Sequence, residues 1–181
     1  MRPGSRTFAA LWGFAEATLF FIVPDVLLSG LALKSLKKAL RAALIAALTA
    51  TLGGLLVWSC AGAFPEASRA VLLHVPGVSD RTFAAVRQLL ENGLLEGMLR
   101  GAFAGVPYKI FAAEAGYAGV GFWHFALVSP LARLPRFIVV CLVVRGLSHL
   151  VGQRLSDGAK LRLCLGLWTL FYGVYFSQVG W

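Results

Sequence analysis

Two apolar segments of the sequence are each interrupted by a proline with a charged residue close by. The first surrounds Pro24, which Asp25 follows directly, and the second surrounds Gly105 and Pro107, with Lys109 two positions later. Because a proline removes a backbone donor and clashes with the preceding turn, each segment is predicted to be a broken helix. In hydrocarbon the freed carbonyls have no water to bind, so the breaks are predicted to line an enclosed or hydrated cavity. Interrupted apolar segments in corresponding places of two halves are typical of a transporter's binding site.

The composition places the chain in a membrane. Of the 181 residues, 59% are hydrophobic and 14% are charged, and the mean hydropathy is +0.77. A spanning helix needs about 20 mostly apolar residues, and the windows 42–64 and 163–180 contain no charge at all. The first apolar stretch, which begins at Thr7, contains Glu16 and Asp25. It is therefore predicted to be retained structure and not a cleaved signal peptide.

The formal charge of +9 is explained by membrane topology. A basic domain that binds nucleic acid would not be this apolar, so no nucleic-acid partner is expected. Lysine and arginine concentrate in residues 34–41 and 148–162, whereas acidic and basic residues balance in residues 65–92. The positive-inside rule then predicts that 34–41 and 148–162 are cytoplasmic and that 65–92 is outside. The expected location is a bacterial inner membrane, which the chain crosses several times.

These assignments predict an all-α, polytopic membrane protein with one domain over residues 1–181. If both ends of residues 7–33 are cytoplasmic, this segment must enter the membrane and return, as a re-entrant helical hairpin. Together with the next spanning helix it forms a first repeat, 7–64. Residues 93–148 form a second repeat of opposite orientation, and 163–180 add one more spanning helix, so about three full spanning helices are expected.

Two smaller features are predicted outside the repeats. The outer connection is expected to contain an amphipathic helix over residues 80–90, with Asp80 as its N-cap and an apolar face on the membrane surface. Aromatic residues near the C-terminus, including Trp168 and Tyr172, are interpreted as interfacial anchors.

Two acidic residues at membrane depth are candidate functional groups, since a buried charge there is costly unless it is paired or hydrated. Glu16 either faces a cavity or is a structural partner for Arg133 or Arg136. Asp25 either caps the second half of the broken helix or acts directly. Together Glu16 and Asp25 form a plausible pair for proton coupling.

Four basic residues are candidates for binding an anion. Lys109 and Arg100 flank the second break, although Arg100 can also pair with Glu96 one turn earlier. Arg133 and Arg136 are three positions apart and so share one helix face, from which they either reach the cavity or extend to the membrane surface. Arginine binds phosphate oxygens bidentately and lysine adds a compact positive charge, so this set suits a phosphate group.

Other classes of chemistry have little support in the sequence. The three cysteines lie singly in apolar surroundings, and no clustered histidines accompany them, so neither a metal site nor another cofactor is expected. There is no Ser-His-Asp set, no Gly-x-Ser-x-Gly motif and no Walker loop. The chain is therefore not expected to be an enzyme.

The second broken segment carries a resemblance to a known family. The residues concerned are Gly105-Val106-Pro107-Tyr108-Lys109-Ile110-Phe111, Ala115-Gly116, Phe122, Phe125 and Arg133-x-x-Arg136-Phe137. They resemble the DedA/VTT-domain family, also called SNARE-associated Golgi proteins, and within it a small bacterial branch with a Pro-Tyr-Lys signature. Glu16 and the run from Pro24 to Leu28 look like that family's first re-entrant motif. The resemblance covers roughly residues 8–147 and is strongest over 103–137.

The resemblance implies two opposed re-entrant hairpins and movement of lipids between leaflets, driven in bacteria by the proton-motive force. Carried over by position, the family's acidic pair falls on Glu16 and Asp25, and its basic set falls on Lys109, Arg133 and Arg136. The chain departs from the better-studied branch in having Lys109 where an arginine-containing loop is usual. It also lacks a full helix before the first hairpin.

The leading expectation is a transporter-like protein that moves a phosphate-bearing lipid, such as a phospholipid or undecaprenyl phosphate, between leaflets. Its partners would be anionic lipids and protons, and a homo-oligomer is left open. One alternative is a proton-coupled carrier of a small soluble ion. The other is a membrane scaffold in which the buried charges only hold helices together.

Overall fold

The computed structural model describes residues 3–179. Met1, Arg2, Gly180 and Trp181, at the ends of the predicted 1–181 domain and 163–180 helix, therefore lie outside the described residues. The described part is helical throughout and contains no strand, which confirms the predicted all-α class for these residues. The helices are α1 Pro3–Thr18, α2 Asp25–Lys34, α3 Leu36–Ala63, α4 Pro65–Leu73, α5 Asp80–Leu90, α6 Leu94–Ala104, α7 Tyr108–Tyr117, α8 Phe122–Val151, the 3-10 turn Gly152–Arg154, and α9 Asp157–Val179.

The first predicted break separates α1 from α2. The chain folds back on itself here. The Trp12 indole on α1 donates a hydrogen bond of 2.8 Å to the carbonyl of Ile22, which lies in the connection ten residues later. Pro24 already has helical dihedrals, φ −59° and ψ −17°, so it is preorganised to restart a helix at Asp25. One oxygen of the Asp25 carboxylate accepts from Arg136 and the other has no partner, so the carboxylate does not cap α2, which was one of its two predicted roles.

The second predicted break separates α6 from α7. Gly105 ends α6 with a positive φ of +77°, a left-handed conformation that favours glycine, and the amide of Val106 bonds back to the carbonyl of Gly101 at 3.0 Å. Pro107 is extended and precedes the first residue of α7. The ring of Phe111 on α7 lies against Gly101 on α6, so these two helices also fold back on each other.

Helix α3 is the axis on which both breaks are positioned. Gly53 of α3 lies against Ala17, near the end of α1, and the next residue, Gly54, lies against Tyr108, the first residue of α7. Contacts of Gly13 with Ala46 show that α1 runs parallel to α3. The two breaks therefore meet near the middle of α3. Such close approach requires small residues, and α3 presents fully buried alanines at Ala39, Ala42, Ala43, Ala46, Ala47 and Ala50.

The two broken pairs reach this level from opposite ends of α3. Gly116, late in α7, lies against Trp58, so α7 runs parallel to α3 and continues past the point where α1 ends. Because α6 folds back on α7, α6 must approach from the C-terminal end of α3, whereas α1 approaches from its N-terminal end. The two broken segments thus reach the middle of α3 from opposite ends of that helix.

Helix α8 runs antiparallel to α3 and closes the assembly. At its start the Trp58 indole donates to the carbonyl of Val120 at 3.0 Å, and near its end Arg145 donates to the carbonyl of Leu33 at 3.0 Å. Helices α3 and α8 are long and apolar enough, by length and composition, to cross a membrane. Among the described residues these are two such helices, where the sequence predicted about three. Helix α9, which covers the predicted 163–180 span as far as Val179, is not among these two.

The connection between α3 and α6 differs in detail from the prediction. It contains an unpredicted helix, α4, which begins at a proline in its first turn. Helix α5 occupies the predicted residues, but its N-cap is Ser79, whose hydroxyl accepts from the amide of Thr82, and not Asp80. Asp80 instead pairs with Arg69 at 2.7 Å. The apolar face of α5 packs on α6 and α7.

The close approach of Gly54 to Tyr108 gives the first prediction. A Cβ atom at Gly54 would overlap the Tyr108 ring and hydroxyl, which are buried and unable to withdraw. We expect Gly54→Ala to lower the free energy of unfolding by about 1–3 kcal/mol. Gly146→Ala on α8 is the matched control, since nothing lies within 4 Å of its Cβ position. That change should be neutral or stabilise by up to about 1 kcal/mol. Equal melting temperatures for the two purified variants would contradict the helix arrangement.

Candidate functional site

The two breaks are joined by a hydrogen bond between them. The ammonium of Lys109, in the first turn of α7, donates to the carbonyl of Phe20 in the first break at 2.8 Å. The residues that follow α1 leave carbonyls without helical donors, and the lysine supplies one of the missing donors. Lys109 is only 2% exposed. A buried cation is therefore held where the two broken segments meet.

Glu16, in the last turn of α1, pairs with Arg133 of α8. The carboxylate and guanidinium lie 2.5 Å apart, and both side chains are buried. The guanidinium carbon of Arg133 is also 4.1 Å from the centre of the Tyr108 ring, a cation–π arrangement that fixes its position. Tyr108 in turn hydrogen-bonds the hydroxyl of Ser129 on α8. Glu16 thus has the structural partner that the sequence offered as one alternative.

Asp25, the first residue of α2, pairs with Arg136 of α8. One carboxylate oxygen lies 2.5 Å from the guanidinium, and Asp25 is completely buried. Arg136 also donates to the carbonyl of Ala102 in the last turn of α6, at 2.8 Å. Arg133 and Arg136 share one face of α8, as their spacing predicts. One side of α8 is therefore bonded to both broken segments.

Some hydrogen-bonding atoms of the site have no partner. Within residues 3–179, the second carboxylate oxygen of Asp25 and the Nε of Arg133 are buried without a hydrogen-bond partner. Lys109 has no carboxylate oxygen within 4.0 Å among the described residues. Three cations face two carboxylates, which leaves an excess of one positive charge when all five are ionised. Buried polar atoms are normally paired, so these two atoms are hydrogen-bonding groups that the fold leaves unsatisfied.

These five ionisable residues line one cavity of about 770 Å³. Its far wall is formed by α9, which packs along α2. Two polar groups of α9 attach this helix to the first broken segment: the Tyr172 hydroxyl accepts from the amide of Val23 at 2.8 Å, and the Trp168 indole donates to Ser29 at 3.3 Å. The remainder of the wall is apolar, with valines of α8 facing aromatic rings of α9.

The structure separates the predicted site residues into two groups. Lys109, Arg133, Arg136, Glu16 and Asp25 converge on the cavity, and the hinge residues Gly105 and Pro107 line it, while Pro24 is buried beside it. Arg100 differs from its prediction as a cavity residue. It is 60% exposed and pairs with Glu96 at 2.6 Å, and it does not line the cavity. This pairing is the alternative that the spacing of the two residues offered.

Several residues of the site were missed in the sequence. Trp168 and Tyr172 were interpreted as interfacial anchors, but they face the cavity and hydrogen-bond the first broken segment. The Tyr108–Ser129 contact had no signal beyond the position of Tyr108 after Pro107.

A further ion pair lies outside the cavity. Glu114 pairs with Arg87 of α5 at 3.0 Å, and this carboxylate raises the pKa of the Arg87 guanidinium.

The described part of the chain contains no set of side chains that could ligate a metal ion. Residues 3–179 contain no group of three or more His, Cys, Asp or Glu side chains that could hold a metal ion. Cys60, Cys141 and Cys164 are free thiols.

Comparison with known proteins identifies one distant relative and no family. An uncharacterized protein of Haemophilus influenzae is 28% identical over 144 residues, covering 77% of this chain and 74% of that protein. No family model matches the chain, and no solved structure matches it. The resemblance to the DedA/VTT family therefore stays a prediction.

The Asp25–Arg136 pair gives the second prediction. Arg136→Met removes the partner of a completely buried carboxylate, so we expect the free energy of unfolding to fall by about 3–5 kcal/mol. Adding Asp25→Asn removes the uncompensated charge, and the double variant should recover much of the loss. Arg100→Met, which breaks an exposed pair, should cost about 0.5 kcal/mol or less. A double-mutant cycle from denaturant unfolding measures these values. Similar losses for Arg136→Met and Arg100→Met would show that the buried pair does not form.

Proposed function

We propose that this chain is a multi-pass membrane protein that moves the phosphate-bearing head group of a lipid between leaflets. In this proposal the two broken helix pairs are re-entrant hairpins that enter from opposite faces. The cavity where they meet is the path of the head group. The lipid is a phospholipid or undecaprenyl phosphate, and movement is coupled to protons.

The observation that carries the proposal is the convergence of Lys109, Arg133, Arg136, Glu16 and Asp25 on one cavity at the meeting point of both breaks. Broken helices at the bilayer midplane, with ionisable groups between them, are typical of transporter binding sites. Ionisable residues at that depth are costly and are expected to serve a function. The opposed directions of the two pairs support the same interpretation.

The charges favour a phosphate group as the ligand. Lys109, which lines the cavity, uses one of its three donors on Phe20 and so keeps donors for a ligand. A phosphate presents several acceptor oxygens to such a set, and guanidinium groups bind them bidentately. The excess positive charge of the site also favours an anion over a cation.

The shape of the cavity favours a lipid over a small soluble anion. The ionisable groups lie on one side, on α1, α2, α7 and α8, while the space between α8 and α9 has largely apolar walls. In this proposal an acyl or prenyl chain remains in the bilayer between the apolar walls formed by α8 and α9, while the head group contacts Lys109 and Arg136. A small soluble ion would not need such an opening.

Glu16 and Asp25 provide the proposed coupling to protons. When a phosphate takes up the donors of Arg136, the completely buried Asp25 loses its partner. A buried, unpaired carboxylate is costly, so a proton neutralises Asp25 while the phosphate is bound. Departure of the head group lets Arg136 return and releases the proton. Glu16 and Arg133 can undergo the same exchange.

The proposal includes a location and a family. With α3 and α8 as spanning helices, the basic connections 34–41 and 148–162 lie on the same side, which the positive-inside rule assigns to the cytoplasm of a bacterial inner membrane. The sequence resemblance to DedA/VTT proteins supports lipid movement as the activity. Membrane lipids and protons are then the partners.

One observation favours the scaffold alternative. Glu16 and Asp25 are both paired with arginines of α8, as expected if the charges only hold helices together. Lys109 discriminates between the two functions, because it has no acidic partner within the described residues and contributes one hydrogen bond to the fold.

Transport in proteoliposomes is the third prediction. We expect Lys109→Gln to retain the hydrogen bond to Phe20 and the fold but to slow transbilayer movement of a fluorescent anionic phospholipid about tenfold or more, since it removes the unpaired charge. Arg100→Gln is the matched control, because it removes a positive charge on the neighbouring helix outside the cavity. It should leave the rate unchanged.

Three outcomes would contradict the proposal. Equal rates for Lys109→Gln and the unchanged protein favour the scaffold. A rate of lipid movement that does not change under an imposed pH gradient would contradict the proposed coupling to protons. Uptake of a water-soluble anion without lipid movement favours the carrier of a small ion.

A further inference from the structure

A second cavity lies at the opposite end of α8 from its Trp58 contact. It has a volume of about 530 Å³ and is formed where the ends of α2 and α8 meet the start of α9. Its charged or titratable lining residues are Lys34, Arg145, His149, Asp157 and Lys160. None of its lining residues belongs to the central cavity.

Two of the three cations of this cavity, Arg145 and Lys160, are held in place by backbone carbonyls. Arg145 donates to the carbonyl of Leu33 at 3.0 Å, and Lys160 donates to the carbonyl of Ser148 at 3.3 Å. Both carbonyls lie in the last turns of helices, where intrahelical donors are missing. A guanidinium has five N–H donors and an ammonium has three. Each side chain therefore keeps donors after these bonds.

The charge balance in this cavity is strongly positive. Asp157 is the one carboxylate that lines it, against Lys34, Arg145 and Lys160. Over residues 3–179, none of these three cations lies within 4.0 Å of a carboxylate oxygen. Three like charges that line one concave site repel one another, and an anion bound between them relieves this repulsion. The start of α9 adds the positive end of a helix dipole on the same side.

We propose that this cavity is a second phosphate-binding site, distinct from the central one. Lys34, Arg145 and Lys160 bind the oxygens of one phosphate group, which is either the head group of an anionic phospholipid or free inorganic phosphate. The bound phosphate links the ends of α2 and α8 to the start of α9. Because α9 forms the far wall of the central cavity, occupancy of this site holds that wall in position.

The test titrates the full-length protein in detergent with three probes: phosphatidylglycerol, zwitterionic phosphatidylcholine, and potassium phosphate at constant ionic strength. The apparent affinity is obtained from the rise in melting temperature. For Lys34→Gln/Lys160→Gln we expect roughly tenfold weaker binding of the anionic probe. Lys37→Gln/Lys38→Gln is the matched control, with the same charge change on exposed lysines nearby. Lys34→Arg/Lys160→Arg should keep the affinity, which separates the loss of charge from a loss of folding.

The probes distinguish the source of the phosphate. A response to phosphatidylglycerol alone assigns the site to a lipid head group, and an equal response to potassium phosphate assigns it to the free ion. Equal effects of the two glutamine double variants would overturn the site, since binding would then depend on diffuse surface charge. Loss of binding in Lys109→Gln would also overturn it, because the probe would then occupy the central cavity. A failure of lipid transport would leave this titration unaffected.

Discussion

The rest of the structure depends on one constraint, the need to satisfy backbone groups at two helix breaks that meet inside the molecule. Helix ends leave carbonyls and amides unpaired, and here they lie beside the middle of α3, where the two breaks meet. Long polar side chains supply the missing partners: Lys109 for Phe20, Arg136 for Ala102, and Tyr172 for the amide of Val23. The side chains that repair the backbone are thereby concentrated at one point.

The side chains that pair with these backbone groups also determine the chemistry of the site. An arginine or lysine uses only some of its donors on a carbonyl, and the others face the cavity. The carboxylates of Glu16 and Asp25 balance part of the positive charge, so the cations remain buried without excessive repulsion. In the proposed function an ion pair is exchanged for bonds to a phosphate, and a proton on the released carboxylate avoids the cost of a buried, unpaired charge. The groups that stabilise the fold are then also the groups proposed to bind the anion.

The sequence predicted the breaks and their charges but not the pairing among them. A proline or a left-handed glycine in an apolar run has a local cause, so Pro24, Gly105 and Pro107 are readable without a structure. The choice of Arg133 for Glu16 and of Arg136 for Asp25 depends on how far α8 is rotated against the hairpins, which no local pattern records. Competition for partners explains why the N-cap of α5 differs from the prediction. The Asp80 carboxylate binds Arg69, and Ser79 caps the helix instead.

The spacing of the two arginines gives α8 a special position in the proposed cycle. Arg133 binds the acid that ends the first arm of a hairpin, and Arg136, one turn later, binds the acid that begins its second arm. Because both arginines project from one rigid helix face, a phosphate that displaces one pair alters the geometry available to the other. Packed helices shift between discrete arrangements and do not deform continuously. Coupling between head-group binding and proton uptake then requires no long pathway, because α8 contacts both arms of the hairpin within a single helical turn.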